Sequence, residues 1–566
     1  GNITFVDSAG IDFATSAGSN GDLYINSSTD GKVGGNLSVI ATTGDITDTV
    51  ALQVTGTSSF TTSADDATIT LNTATNALTG VVTLSTSGSS GHATIDNGTT
   101  ILKIAASTVR GNLTLTSGAS TSGSNYAIMR DGTGTLNVSG NLIATTDAND
   151  GVIDLGSLAV NGSFDLTTDG SGNATVVNAT ALNFITSGIG GNLSATATIG
   201  NITQSTGALT VSGTTTLVTS AQAATIDLST ITTNAFTGEL LITTNDNNSP
   251  ADGDYEADVT IDGGTTNLII GTSTIDGDLT LLSGGTITDT DSSTVTVLKN
   301  LSATTDASNS AITLNDLTVT GLVGLTTNGS GNATVVNATA LDLSASTVGG
   351  NLTATATTGA ITQSGALDIN GTGTTTFSVT DTTQNITLFN PLNDFEGAVS
   401  TTGYDVKLWT ADTMNLGAAT VGGAYTVNAG TTIDDSGAQV ITGDALFQTH
   451  EASSQITLDH ASNSFGGTFT TVGGIGYTVN DTSADGIVLE QRDLVGNLIV
   501  TAAGPVTQSG YQKIGGYTSI TATGKNITLD MTTNDFEGEV RMAGLNVAVV
   551  DADTIELGVS TVTGTY

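Results

Sequence analysis

Apolar and polar residues alternate along this chain in short runs bounded by Gly or Asn. Ile527-Thr528-Leu529, Ile456-Thr457-Leu458 and the stretch from Leu193 to Ala197 are typical. A period of two marks a strand with one face buried. Thr and Val suit a pleated backbone, while Gly, Asn and Asp suit tight corners. No sustained helical period interrupts the pattern. The chain therefore reads as all-β, built from many short strands.

The runs are organised by a repeat. GNLSATATIGNITQSTGAL, from Gly191 to Leu209, returns as GNLTATATTGAITQSGAL from Gly350 to Leu367 and, less faithfully, as GNLIVTAAGPVTQSG from Gly496 to Gly510. Glycines of this marker stand at Gly35, Gly111, Gly191, Gly277, Gly350, Gly423 and Gly496, so successive units are 76, 80, 86, 73, 73 and 73 residues long by subtraction. The unit at Gly191 exceeds 73 by 13, which is the length of the polar stretch Asn245 to Ala257. An insertion that leaves its flanks in step is a loop on the outside of a stacked array. A second marker, N-x-[FL]-x-G, begins at Asn76, Asn234, Asn393, Asn463 and Asn534. Two units carry Leu158 to Gly162 and Leu317 to Gly321 in its place.

Each unit divides into pieces of strand, corner, strand and turn. This pattern predicts a parallel β-helix of roughly 24 residues per coil, three coils to a unit of about 73. Stacked about 4.8 Å apart, some 23 coils over residues 1–566 would form one continuous rod on the order of 110 Å long. The crossover rule for parallel strands makes it right-handed. Single coils cannot bury their own apolar face, so the stack supplies a shared core, with Phe236, Phe395, Phe465 and Phe536 pointing inward. The chain opens on Gly1, and neither end carries a charged helix or cap. That predicts a processed or longer native polypeptide, or ends that dock on neighbouring molecules.

Composition narrows the chemistry. Of 566 residues, 72 are Gly and 37% are hydrophobic. That apolar share, in alternation, speaks against disorder. The formal charge of −42 repels nucleic acid and anionic lipid, so neither is an expected partner. Cysteine is absent, which removes disulfides, thiolate metal sites and thiol nucleophiles. No apolar run is long enough for a helical membrane span.

The phrases GNL-T-A-T-x-G-x-ITQSG-AL, NITL…NDFEG and TIELG resemble the β-strand repeats of filamentous-haemagglutinin-like exoproteins of two-partner secretion and related giant bacterial adhesins. The resemblance covers most of the chain. It implies an extracellular, right-handed β-helical stalk. No functional residue of that family maps onto a position here.

Catalysis is not expected. The ten Lys and Arg are scattered, and His92, His450 and His460 are isolated. A lyase or hydrolase built on a β-helix needs clustered acids and a base, or paired carboxylates. No cofactor is required by any motif, and calcium is the one candidate ligand. Asp252, Asp254, Glu256 and Asp258 alternate within ADGDYEAD and would share one face of an extended strand, offering several oxygens to a hard cation. Paired T-x-T runs recur once per unit, which argues against a hydroxyl array for ice. The expected function is an extracellular structural or adhesive protein: a stalk, filament or coat subunit that associates with itself or contacts a host, prey or neighbouring cell surface. A carbohydrate-active β-helix and a calcium-dependent matrix protein are the alternatives.

Overall fold

The computed structural model describes residues 1–14, 22–24, 32–119, 125–148, 150–246 and 255–566. Packing divides the chain into two units, Gly1–Lys299 and Asn300–Tyr566. Each is a parallel β-solenoid, and the described residues contain no α-helix.

One coil of the first unit shows how the sequence makes it. In Leu193–Ala197, Leu193, Ala195 and Ala197 are buried while Ser194 and Thr196 face outward. Gly200, at φ 90°, turns the chain into Ile202–Gln204, and Gly207, at φ 72°, turns it again into Leu209–Val211. Both corners need the left-handed region that a side chain resists. Thr215–Thr219 then lies parallel on Leu193–Ala197, one coil on, with Thr215 opposite Leu193. In the second unit Val540 stands opposite Thr518 in the same way. Within each unit backbone hydrogen bonds thus run along the stacking axis, and inward side chains form a column. Phe236 sits in the column of the first unit and Phe395, Phe465 and Phe536 in that of the second, none more than 3% exposed. Burying a side chain of that size stabilises the stack by about 2–3 kcal/mol.

Each coil has a broad face, carrying one strand of about five residues, and a creased face, carrying two strands of two or three. The two faces exchange roles. In the first unit, the broad strands Leu37–Ala41, Ser58–Asp65 and Val82–Ser87 stack on one side. Val82–Ser87 is followed on that side by two strands, Leu102–Ile104 and Ser107–Val109. Their successors, Tyr126–Arg130 and Leu136–Val138, merge again on the nine-residue Val152–Val160. Meanwhile the opposite side becomes broad through Leu113–Ser117, Leu142–Thr146 and Ser163–Thr167, then splits into Leu182–Phe184 and Ser187–Ile189. The second unit does the same: Met414–Val421 splits into Ile433–Asp435 and Gln439–Ile441 while Val406–Thr410, Tyr425–Ala429 and Ala445–Thr449 form the broad face opposite.

The repeat therefore has a half-turn in it. Leu37 and Leu193 lie on one side of the first unit, with Leu113 on the other. Leu352 and Leu498 share a side in the second unit, with Tyr425 opposite. Leu352 and Leu498 stand two repeats apart in sequence and seven coils apart along the ladder of paired strands. With a coil of about 22 residues, slightly shorter than the expected 24, a repeat fills three and a half coils.

Candidate functional surfaces

The residues that the repeat preserves are occupied in fastening one coil to the next. The Asn of G-N-L points along the axis. Asn192 Oδ1 accepts the backbone N–H of Thr214, one coil on, at 2.9 Å. Asn112 does the same for Asn141 and Asn497 for Tyr517, and Asn332, of a G-N-A phrase, does it for Asn351. The Gly belongs to the same clasp. A Cβ on Gly191 would stand 2.3 Å from Asn173 Oδ1, and one on Gly350 would stand 2.3 Å from Asn332 Oδ1. Glycines of intervening coils repeat the contact, a Cβ on Gly213 standing 2.2 Å from Asn192 Oδ1. Only a residue without a side chain leaves room for the amide of the coil below. His92 takes the Asn role, its Nδ1 accepting the N–H of Asn112 at 2.8 Å.

The second marker works inside the corner of the creased face. Asn234, Asn393 and Asn534 are at most 2% exposed. Each forms a reciprocal amide pair with the Gln of an ITQ or VTQ phrase one coil earlier: Gln204 with Asn234, Gln363 with Asn393, Gln508 with Asn534, all at 2.8–3.0 Å. Each also accepts the N–H that opens a short strand, as Asn393 does for Leu367 at 2.9 Å. Asn463 uses Asp435 in place of Gln, at 2.6 Å. These partners lie more than a coil apart in sequence, and no local pattern joins them.

Buried aspartates meet at Asp246 and Asp276, where Asp276 Oδ2 accepts the N–H of Asp246 at 2.8 Å. Burial raises the Asp435 and Asp481 carboxyls above the ordinary range, partly offset by the hydrogen bonds they accept. Burial lowers the guanidinium of Arg492, which lies 5.4 Å over the Tyr477 ring. The Tyr425 phenol is wholly buried and held well above its usual value.

Of the expected calcium ligands, Asp252 and Asp254 lie outside the described residues. Glu256 is exposed, and Asp258 accepts the N–H of Asp278 at 2.8 Å, as an Asn clasp would. Among the described residues, three carboxylates converge at Asp535, Asp551 and Asp553. Asp535 there pairs with Lys513 at 3.3 Å, and Asp551 accepts the Phe536 N–H. His460 caps a corner through the N–H of Ser462, whereas His450 stacks on Trp409. Outward hydroxyls do stack from coil to coil: Thr353 and Thr355 lie beside Thr376 and Ser378, then Ser400 and Thr402. The once-per-unit spacing hides this, because neighbouring coils supply Thr and Ser from different phrases.

Among the described residues, no helix is long and apolar enough to cross a membrane. No curated protein and no solved structure matches the sequence. A family described as repeats of unknown function (DUF5649) matches residues 1–85, 171–243, 330–402, 403–472 and 476–543. The variant markers at Leu158 to Gly162 and Leu317 to Gly321 fall in the stretches between those matches. Repeated across more than half of the sequence, the match makes this chain a member of the DUF5649 repeat family.

Proposed function

We propose that the chain is a non-catalytic structural protein of the cell exterior, a stalk, filament or coat subunit whose repeats set distance and present a surface. One observation carries this reading. The preserved residues of the repeat (the Gly and Asn of the clasp, the Gln and Asn of the corner, the inward Phe) are occupied between adjacent coils, so the repeat preserves stacking. A catalytic repeat would preserve a reacting constellation on the surface. The charge of −42 fits a solvated exterior face that avoids nucleic acid and anionic lipid. The expected partners are further copies of the chain or the surface of another cell. Calcium is a candidate ligand of the Asn245 to Ala257 insertion.

Immunogold labelling of intact and permeabilised native cells tests the location. Label on intact cells, in arrays or on projections, is expected. Label that appears only after permeabilisation removes the proposal. Calcium is tested separately by thermal melts with and without a chelator. A matrix role for the ion requires the melt to fall when the ion is withdrawn.

A further inference from the structure

Eleven of the 13 phenylalanines are buried, and the exceptions are Phe5 and Phe389. Phe389 stands against Trp409, the only Trp of the chain, with ring centroids 5.0 Å apart and planes at 63°. Trp409 in turn stacks on His450 at 5.3 Å and 8°. The three rings come from different coils of the second unit and form a strip along its stacking axis. All three point outward: Val406, Leu408 and Thr410 are the buried residues of the strand that carries Trp409.

The fold does not need an aromatic residue there. Equivalent outward positions of other broad strands hold Thr196, Thr355 and Thr501. Between Trp409 and Gln448 in the ladder lies Asn428, an outward residue that is only 6% exposed and whose Oδ1 has no hydrogen-bond donor. Beside Phe389 is an open depression of about 370 Å³ lined by Gln363, Thr387, Phe389, Asn390 and Pro391, none of them charged.

We propose that this strip and the adjoining depression bind a neutral glycan. A pyranose ring has an apolar C–H face and a rim of hydroxyls. The electron-rich faces of aromatic rings suit the first, and uncharged amides and hydroxyls suit the second. The surrounding field favours neutrality: a chain of charge −42 repels anionic polysaccharide, and no residue lining the depression is a cation, the exposed Lys407 opposite Thr387 on the next coil lying outside the lining. The site goes beyond the structural role and stands whether or not the chain acts as a stalk.

Because Trp409 is the sole Trp, its emission reports the site directly. The full chain is titrated with hexasaccharides of β-1,4-linked glucose, mannose and N-acetylglucosamine, and with hexagalacturonate as the charged counterpart. A saturable emission change with at least one neutral hexasaccharide is expected. It should weaken roughly tenfold or more in Phe389→Ala and in His450→Ala, with melting curves matching the parent. Calorimetry on the same sugars with Trp409→Ala reads the loss without fluorescence. The assignment is overturned if no neutral hexasaccharide binds, if hexagalacturonate binds as tightly, or if the variants bind like the parent.

Discussion

At the scale of the residue, the clasp between Asn192 and Gly213 explains why two small residues recur where no chemistry is done. Gly213→Ala puts a methyl 2.2 Å from Asn192 Oδ1 and 2.8 Å from the Gly191 carbonyl carbon and oxygen. The variant is expected to be destabilised by about 2 kcal/mol or more. Asn192→Ala loses one exposed hydrogen bond, worth about 1 kcal/mol. The double variant should recover only part of the loss, because the Gly191 backbone still blocks the methyl. A denaturant double-mutant cycle measures that coupling.

A second comparison concerns buried corners. Asn178 and Asn337 accept a backbone N–H through Oδ1 and donate Nδ2 to nearby carbonyls. Asp481 takes the same place in its own corner, accepting the N–H groups of Phe465 and Ser483 through Oδ1. Its Oδ2 has no donor. Burial raises its carboxyl. A raised folded value favours the protonated form, so this group's contribution is fully present below the ordinary carboxylate range. It is lost as pH rises through the folded value. Asp481→Asn replaces the orphaned oxygen with a donor. It is expected to stabilise the chain by about 1 kcal/mol at neutral pH and to flatten that part of the stability–pH profile in chemical melts. The sequence alone names Asn and Asp as turn residues. It does not distinguish a solvated carboxylate from one with an oxygen buried without a donor, since that depends on the coil below.

At the scale of the element, the alternation of buried and outward residues was enough to read the parallel solenoid, the inward Phe residues and the stacking of coils. The half-turn was not legible. Inward and outward residues alternate identically on both sides, and the length of a repeat divides as readily into three long coils as into three and a half shorter ones. The Gln363–Asn393 pair was hidden for a related reason: an amide at a strand end reads as solvent-facing until the coil length is known. The aromatic strip was hidden too, because Trp409 and His450 are far apart in the chain and share no repeated phrase. The amide pair is a fastening between consecutive short strands. Asn393→Leu strips partners from Gln363, Leu367 N–H and Leu388 C=O, an expected loss on the order of 3 kcal/mol. It should appear in hydrogen exchange as lost protection at the Leu367 amide, centred on those coils. The half-turn predicts something further. Each repeat follows the last by the same relation, so deleting residues 350–422 joins Gly349 to Gly423 and carries the later strands to the opposite face with matching clasps. The shortened chain should keep the parent's β-sheet circular dichroism per residue. A collapse of that signal would show that the faces are not interchangeable.

At the scale of the whole molecule, charge sets the terms on which the coils stack. The chain carries 52 acids against 10 Lys and Arg. Ion pairs such as Lys513 with Asp535 and Arg541 with Glu539 are solvent-exposed and local. Exposed pairs of this kind contribute about 0–1 kcal/mol each, too little to offset repulsion among some forty uncompensated carboxylates. The interior is held by apolar columns and neutral amide pairs, which salt leaves largely untouched. Added salt therefore acts mainly on the repulsion. At 0.15 M ionic strength the screening length is about 8 Å, against about 30 Å at 0.01 M, so carboxylates two or more coils apart cease to act in concert. The melting temperature should rise with sodium chloride over that range. It should rise by a similar amount in potassium chloride, because screening depends on ionic strength and is indifferent to the identity of a monovalent cation. A far larger rise with millimolar calcium at constant ionic strength would identify bound cation as a separate source of stability. A melt that falls with salt would mean that attractive charge pairs hold the coils together, against the amide and apolar fastening seen between them.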